Sequence, residues 1–269
     1  MTKPLNSRRR IVVTGMGCLS PIGNNLQETW QAMLEGRNGI GRITHFDPSE
    51  LNCQIAGEVK NFNPDDFINK KESKRMDRVI QLAVSAAKMA LEDSGLTVDD
   101  NNRHRVGVSV GSGIGGMTTY EQQFLVMIEK GPNKISPFFI PMMIPNMASG
   151  QISINFGLCG PSFSVVSACA TSVNCIGSAV DTILAGRGDV MPLDQTPVQD
   201  HRAEAFAVGL FQRGDDFRGG AQLGGLGREG VVAVGQLHRV HHRLAVEAHD
   251  AGCDDTVDRF HDGAEVVGN

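Results

Sequence analysis

The sequence has 269 residues, 41% of them hydrophobic, and a formal net charge of −5 at pH 7. A chain of this length can bury a sizeable core, and its acidic balance argues against a general nucleic-acid-binding protein. It has no apolar run of the roughly 18 residues that a membrane span needs, so neither nucleic acid nor membrane is expected as a partner. Six cysteines without a C-x-x-C pair argue against a zinc site or a disulfide framework and favour a reducing, cytoplasmic compartment.

The first 190 residues alternate predicted strands with predicted helices, which is typical of an α/β architecture. A buried strand over residues 10–17 ends in a glycine turn, and a helix follows over residues 24–34. Residues 43–67 are predicted to be irregular. Residues 78–94 carry a clear helical apolar stripe that ends at Gly95. A strand over residues 106–110, a glycine turn and a second helix to about residue 129 come next.

Cys169 lies where a predicted strand, residues 162–167, gives way to a helix of small residues. Val173, Ile176 and Val180 recur at helical spacing beyond it. A thiol in this position meets the partial positive charge and the free N–H groups of the first helical turn, which favour an anionic sulfur and supply donors for a developing oxyanion. The pattern predicts a nucleophilic cysteine. The alternative is a small buried apolar residue in a tightly packed helix.

Gly111, Gly113 and Gly116 form a G-x-G-x-x-G spacing between a predicted strand and a predicted helix. This context is the one in which a dinucleotide pyrophosphate is bound. The acidic residue expected about 20 positions later is poorly placed, because Glu129 does not end a strand. A glycine-rich turn that lines some other pocket is therefore the favoured interpretation.

Lys70, Lys71, Lys74 and Arg75 form a compact basic cluster in which Glu72 is the single acidic residue. Charge runs of this kind are often solvated surfaces. The functional interpretation is docking of an acidic partner through local electrostatic steering.

The composition changes abruptly at about residue 191. Residues 191–269 contain no Lys, Ile, Ser, Tyr or Trp, and their seven arginines against thirteen acidic residues give a net charge of −6. Residues 231–234 and 244–246 are weak strand candidates. A solvated or poorly ordered segment is predicted for the remainder.

Six of the eight histidines lie in this segment. His238, His241 and His242 have spacings of three and four that suit one helical face, so one interpretation is a metal site or a catalytic base. The segment has no apolar stripe that would position such a helix. The histidines are interpreted as fortuitous, and no metal is predicted.

Several ordered motifs in residues 1–191 together resemble the β-ketoacyl-acyl-carrier-protein synthase II family of condensing enzymes. In order they read RRIVVTGMGCLSPIGN, KKESKRMDR, RVGVSVGSGIGGM, KISPFFIPMMIPNMASG, GPSFSVVSACATS and LAGRGDVM. The resemblance implies a thiolase-like fold of two β-α-β-α-β-α-β-β halves, paired in a homodimer. Residues 1–190 would form the first half, and residues 191–269 would be an unmatched tail.

Carried onto this sequence, the resemblance implies that Cys169 accepts the acyl group as a thioester and that its backbone N–H helps to bind the oxyanion. Ile114 would line the acyl-chain pocket and set its depth. Lys71, Lys74 and Arg75 would dock acyl carrier protein. No cofactor is expected, because the substrates are carried on the phosphopantetheine of the carrier protein.

The family's second step is decarboxylative condensation with malonyl-carrier protein, which requires two histidines, a lysine and a phenylalanine loop in motifs resembling NAHGT and GFGGTN. Neither motif occurs here, and no lysine follows Lys134. The tail is predicted not to be the second half of the family's fold but the translation of an unrelated reading frame, produced by a frameshift, a rearrangement or an antisense stretch. The expected function is that of a 3-oxoacyl-acyl-carrier-protein synthase, limited in this chain to acylation. The alternatives are a non-catalytic carrier-protein or acyl-chain binder and, from the glycine motif, a dinucleotide-binding oxidoreductase.

Overall fold

A computed structural model of the chain describes residues 11–195 and 206–213, with side chains through residue 192. The chain divides into two units, one formed by residues 1–42 and 55–218 and the other by residues 43–54 and 219–269. In the described part of the second unit, the Ile43 N–H donates to the Gln54 carbonyl (2.9 Å) and closes a short loop.

The first unit alternates strands and helices along the chain. The strands are β1 (Ile11–Leu19), β2 (Ile40–Arg42), β3 (Ile55–Gly57), β4 (Val108–Gly111), β5 (Ser162–Phe163), β6 (Val190–Gln195) and β7 (Phe206–Arg213). The helices are α1 (Leu26–Leu34), α2 (Lys70–Ser73), α3 (Arg78–Ser94), α4 (Met117–Lys130), α5 (Phe139–Met143), α6 (Met147–Phe156) and α7 (Thr171–Leu184). The α/β prediction is confirmed. The irregular stretch predicted for residues 43–67 is wrong at β3, which pairs antiparallel with β2.

Five strands form one sheet in the order β1-β7-β6-β4-β5. Strands β4, β5 and β6 are parallel, while β7 runs antiparallel to both β1 and β6. If the small β2–β3 hairpin is set aside, the chain follows the predicted β-α-β-α-β-α-β-β order. The carboxyl ends of β4 and β5 therefore point to the same edge of the sheet, which is where ligand sites form in such folds.

Strand β7 corrects the prediction for the tail. Residues 206–213 read FAVGLFQR, and they pair with β1 along its length and with β6 from Val190 to Gln195. The prediction found no lasting helical or strand period in the tail. Six consecutive uncharged residues, all apolar apart from one glycine, nevertheless suit a strand with neighbours on both sides. The weak candidates at residues 231–234 and 244–246 and the tail histidines lie outside the described residues. The boundary at residue 190 stays a prediction.

Helix α3 supplies most of the core on one face of the sheet. It spans the predicted residues, begins after an N-cap aspartate, Asp77, and ends at Gly95, which takes the left-handed conformation with φ of 65°. Ten of its seventeen residues are buried. All of these except Ser85 pack with Leu19 of β1 and with Val108 and Val110 of β4. Each fully buried aliphatic side chain of this kind contributes about 1.5–3 kcal/mol through burial.

Helix α7 covers the opposite face. Val190 belongs to the α3 cluster, and the next residue, Met191, packs with Ala179 and Ile183 of α7, because successive strand residues face opposite sides.

Where β4 and β6 begin, Arg105 donates two hydrogen bonds of 2.8 Å to the carboxylate of Asp189. This carboxylate raises the pKa of Arg105 above its usual value. The pair fixes the loop that follows α7 against the start of β4.

Candidate active site

Cys169 lies in a tight turn between β5 and α7, as predicted. Strand β5 has only two residues, shorter than predicted, and the chain then runs irregularly to a 3₁₀ turn over Ala168–Ala170 that leads directly into α7. The Cys169 side chain is exposed, so the alternative of a small buried apolar residue is wrong. The preceding residue, Ala168, has φ of 48°, a left-handed conformation that alanine seldom adopts.

Hydrogen bonds tie this turn to the first turns of α7. The Ser167 N–H donates to the Thr171 hydroxyl (2.9 Å), and the Asn174 side-chain amide donates to the Ser167 hydroxyl (2.6 Å). The Ala170 N–H donates to the Ser167 carbonyl (3.0 Å). The sequence predicted no role for the three polar residues of this turn, because such residues are common at the start of a helix. They are Ser167, Thr171 and Asn174.

The predicted glycine turn adjoins the Cys169 segment through Gly111, the last residue of β4. A Cβ on Gly111 would collide with the Thr171 methyl and would stand 2.7 Å from the Cys175 sulfur. The close approach of β4 to α7 therefore requires glycine here. Ile114 lies three residues further on and is 44% exposed.

The same turn gives no support to dinucleotide binding. A Cβ on Gly115 would collide with the Met143 carbonyl, and one on Gly116 would collide with the Met142 carbonyl. The Gly116 N–H also donates to the Met143 carbonyl (2.8 Å). The chain itself fills the space beside these two glycines, and the Gly116 N–H is already used within the protein.

The basic cluster lies on and just after the short helix α2. Lys71 and Lys74 are exposed, whereas Lys70 lies 3.8 Å from the Asp65 carboxylate. The guanidinium of Arg75 lies 4.7 Å from the centre of the Phe138 ring, which orients this cation without neutralising it.

A buried carboxylate connects this cluster to the glycine turn. Asp77 is 3% exposed and accepts a hydrogen bond from the Val79 N–H (3.1 Å). It also accepts from the N–H (2.8 Å) and the hydroxyl (2.6 Å) of Thr119, in the first turn of α4. Gly116 packs directly against this carboxylate. An aspartate before an apolar stripe indicates an N-cap, so this role of Asp77 could be read from the sequence. Its bond to Thr119 could not, because the two residues lie 42 positions apart and no local pattern connects them.

Other site types are poorly represented in the described residues. No three His, Cys, Asp or Glu side chains there come together as a metal site, and none of the five cysteines among them forms a disulfide. No helix in that part of the chain is long and apolar enough to cross a bilayer.

A family model described as "Beta-ketoacyl synthase, N-terminal domain" matches residues 8–191. The chain belongs to the β-ketoacyl synthase family. The resemblance of residues 1–191 is thereby confirmed, and the match ends where the composition changes.

Relatives and solved structures agree with this family. A Staphylococcus aureus (strain N315) protein named 3-oxoacyl-(acyl-carrier-protein) synthase 2 is 43% identical over 231 residues, covering 85% of this chain and 56% of the relative. A Synechocystis protein of the same name is 47% identical over 184 residues, covering 68% of this chain and 44% of the relative. The chain thus spans about half the length of these relatives.

A solved ketosynthase complex shows the same fold. It is a type II PKS acyl-carrier protein in complex with its ketosynthase bound to the hexaketide, and it superposes with a TM-score of 0.67 at 20% identity. The superposition covers 77% of this chain and 64% of that one. The thiolase-like prediction for the described residues is confirmed.

Proposed function

We propose that this chain carries the acyl-accepting part of a 3-oxoacyl-acyl-carrier-protein synthase site, with Cys169 as the nucleophile. The observation that carries the proposal is the exposed thiol of Cys169 in a left-handed turn that leads directly into α7. The thiol attacks the carbonyl carbon of an acyl thioester on carrier-protein phosphopantetheine. The bond from that carbon to the pantetheine sulfur breaks, and the proton of Cys169 ends on the released pantetheine thiol.

The N-terminus of α7 supplies the electrostatics for this step. The Thr171 N–H donates to the Ala168 carbonyl. The N–H groups in the first turn of a helix together carry partial positive charge, which stabilises an oxyanion that forms beside them. The Cys169 N–H is the donor that the family resemblance assigns to this oxyanion.

Ile114 is proposed as a lining residue of the acyl-chain pocket. Its support is the position of the glycine turn, which begins at Gly111 against α7 and contains the exposed Ile114. Full burial of an exposed isoleucine contributes about 1.5–3 kcal/mol, so Ile114, which is 44% exposed, would gain roughly half of that from an alkyl chain.

The proposed partner is acyl carrier protein, docked by Lys71, Lys74 and Arg75. All three cations are exposed; Lys71 and Lys74 form no ion pair within the described residues, and Arg75 is held over the Phe138 ring. An acidic carrier would be attracted to such a patch even though the whole chain is acidic. A homodimer and a cytoplasmic location are proposed on the family resemblance.

Charge reversal at Lys71 and Lys74 tests the docking surface. We expect the double variant K71E/K74E to lower kcat/KM for acyl transfer about tenfold, mostly through KM, because attraction becomes repulsion. Added salt slows the wild type more than the variant. K130E is the matched control, since Lys130 lies at the far end of α4, about 20 Å from its first turn. Equal losses in both variants would contradict the assignment.

Intact-protein mass spectrometry tests the acylation itself. After incubation with acyl-carrier protein, the wild type is expected to gain one acyl group that hydroxylamine removes. Cys169→Ala abolishes this gain, whereas Cys159→Ala, which removes another exposed thiol, leaves it unchanged. A C169A variant that binds carrier protein while the wild type is never acylated would instead support the non-catalytic binder.

Condensation is not expected of this 269-residue chain. The sequence has neither the NAHGT-like nor the GFGGTN-like motif and no lysine after Lys134. Adding malonyl-carrier protein to the acylated chain therefore leaves the acyl group in place. Robust formation of 3-oxoacyl product by the purified chain would contradict this part of the proposal.

A further inference from the structure

Two non-glycine residues in the described part of the chain have positive φ, and they differ in kind. Asn61, with φ of 57°, is a residue type that often adopts this conformation. Ala168, with φ of 48°, has no side-chain hydrogen bond that could compensate for the contact between its Cβ and the backbone. Such a conformation persists where the surrounding structure holds it in place.

Ser167 is the residue through which the turn is held. Its N–H donates to the Thr171 hydroxyl (2.9 Å), its carbonyl accepts from the Ala170 N–H (3.0 Å), and its hydroxyl accepts from the Asn174 amide (2.6 Å). All three polar groups of Ser167 are thus bonded to the turn that holds Cys169 or to the start of α7. Two of these bonds depend on side chains.

We propose that Ser167, Thr171 and Asn174 form a brace that positions Cys169 for acyl transfer. The proposal rests on the proposed function of Cys169 and adds three positioning residues to it. With the brace intact, Ala168 stays left-handed and the thiol stays exposed in the turn that leads into α7. Without it, the turn relaxes toward ordinary backbone conformations, and the thiol leaves that position for part of the time.

The two contacts of Thr171 can be separated by substitution. Its hydroxyl accepts from the Ser167 N–H, and its methyl lies where a Cβ of Gly111 would otherwise stand. Thr171→Val keeps the packing and removes the acceptor, whereas Thr171→Ser keeps the acceptor and removes the methyl. Asn174 is exposed, so Asn174→Ala changes the brace without opening the core.

The rate at which iodoacetamide alkylates Cys169, followed by mass spectrometry, reports on the brace without carrier protein. We expect T171V, S167A and N174A each to lower both this rate and the rate of acylation about tenfold, while T171S stays within twofold of the wild type. Since Ser167 and Asn174 share one hydrogen bond, the double variant S167A/N174A should lose about tenfold, not a hundredfold. Melting temperatures are measured for every variant, and N174A is expected to keep that of the wild type.

Several outcomes would overturn the brace. They are N174A and T171V reacting at the wild-type rate, T171S losing as much as T171V, or single losses that multiply in the double variant. If the alkylation rates follow the expected pattern but the wild type is never acylated, the brace is supported as a device that positions the thiol, and the proposed function fails. If acylation occurs at Cys169 but no variant changes either rate, the function stands and the brace fails.

Discussion

Replacing Gly111 with alanine is expected to lower the free energy of unfolding by about 3 kcal/mol, the upper range for overpacking a core site. The new Cβ would collide with the Thr171 methyl and would stand 2.6 Å from the Val165 carbonyl and 2.7 Å from the Cys175 sulfur. These atoms belong to a backbone carbonyl and to two buried side chains of α7, so they can move away only if the helix or the segment before Cys169 shifts. Alkylation of Cys169 should slow as well, because the displaced Thr171 supports its turn. Urea denaturation followed by circular dichroism measures the stability.

Gly177 provides the matched control. It lies in the middle of α7, and a Cβ there would meet no other atom within 4 Å. Gly177→Ala should therefore stabilise the chain by about 0.5–1 kcal/mol through helix propensity. A G111A variant as stable as the wild type would mean that β4 and α7 do not approach closely. The link between the glycine turn and the Cys169 segment would then be lost.

Replacing Asp77 with alanine should also destabilise the chain by about 3 kcal/mol, because the N-cap of α3 and two hydrogen bonds to a buried carboxylate disappear together. The Thr119 N–H and hydroxyl are left buried without their acceptor. The start of α4 then separates from the start of α3. Thr119→Val removes the hydroxyl bond alone and should cost about half as much.

Ser85→Ala is the control for Asp77→Ala. Ser85 is fully buried in the same helix, but among the described residues its hydroxyl bonds only to the Gln81 carbonyl one turn earlier. We expect its free energy of unfolding to change by less than about 1 kcal/mol. Equal losses in D77A and S85A would show that the bridge to α4 contributes nothing, whereas a large loss in D77A alone supports it.

Much of the fold could be predicted because the relevant forces are local. The apolar stripe of α3, its aspartate cap and its glycine stop all lie within nineteen consecutive residues, and the predicted helix agrees with the observed one. Strand β7 was missed for the opposite reason. Its continuous apolar run is stabilised by pairing with β1, about 195 residues away in sequence, and no local period reveals that partner.

The candidate site divides in the same way. A cysteine between a strand and a helix can be recognised from neighbouring residues, and so can the compact group of lysines. The contacts that hold these parts together cannot. Asp77 meets Thr119 and Gly111 meets Thr171 only after the chain has folded, and their residue types are ordinary in any α/β protein.

Peptide-level mass spectrometry after incubation with acyl-carrier protein tests the central claim most directly. The chain has six cysteines, of which Cys159 and Cys169 are exposed among those described. The account predicts a thioester on the peptide that contains Cys169 and on no other cysteine peptide. An acyl group on Cys159 or another cysteine, or no acyl group on a folded chain, would contradict it.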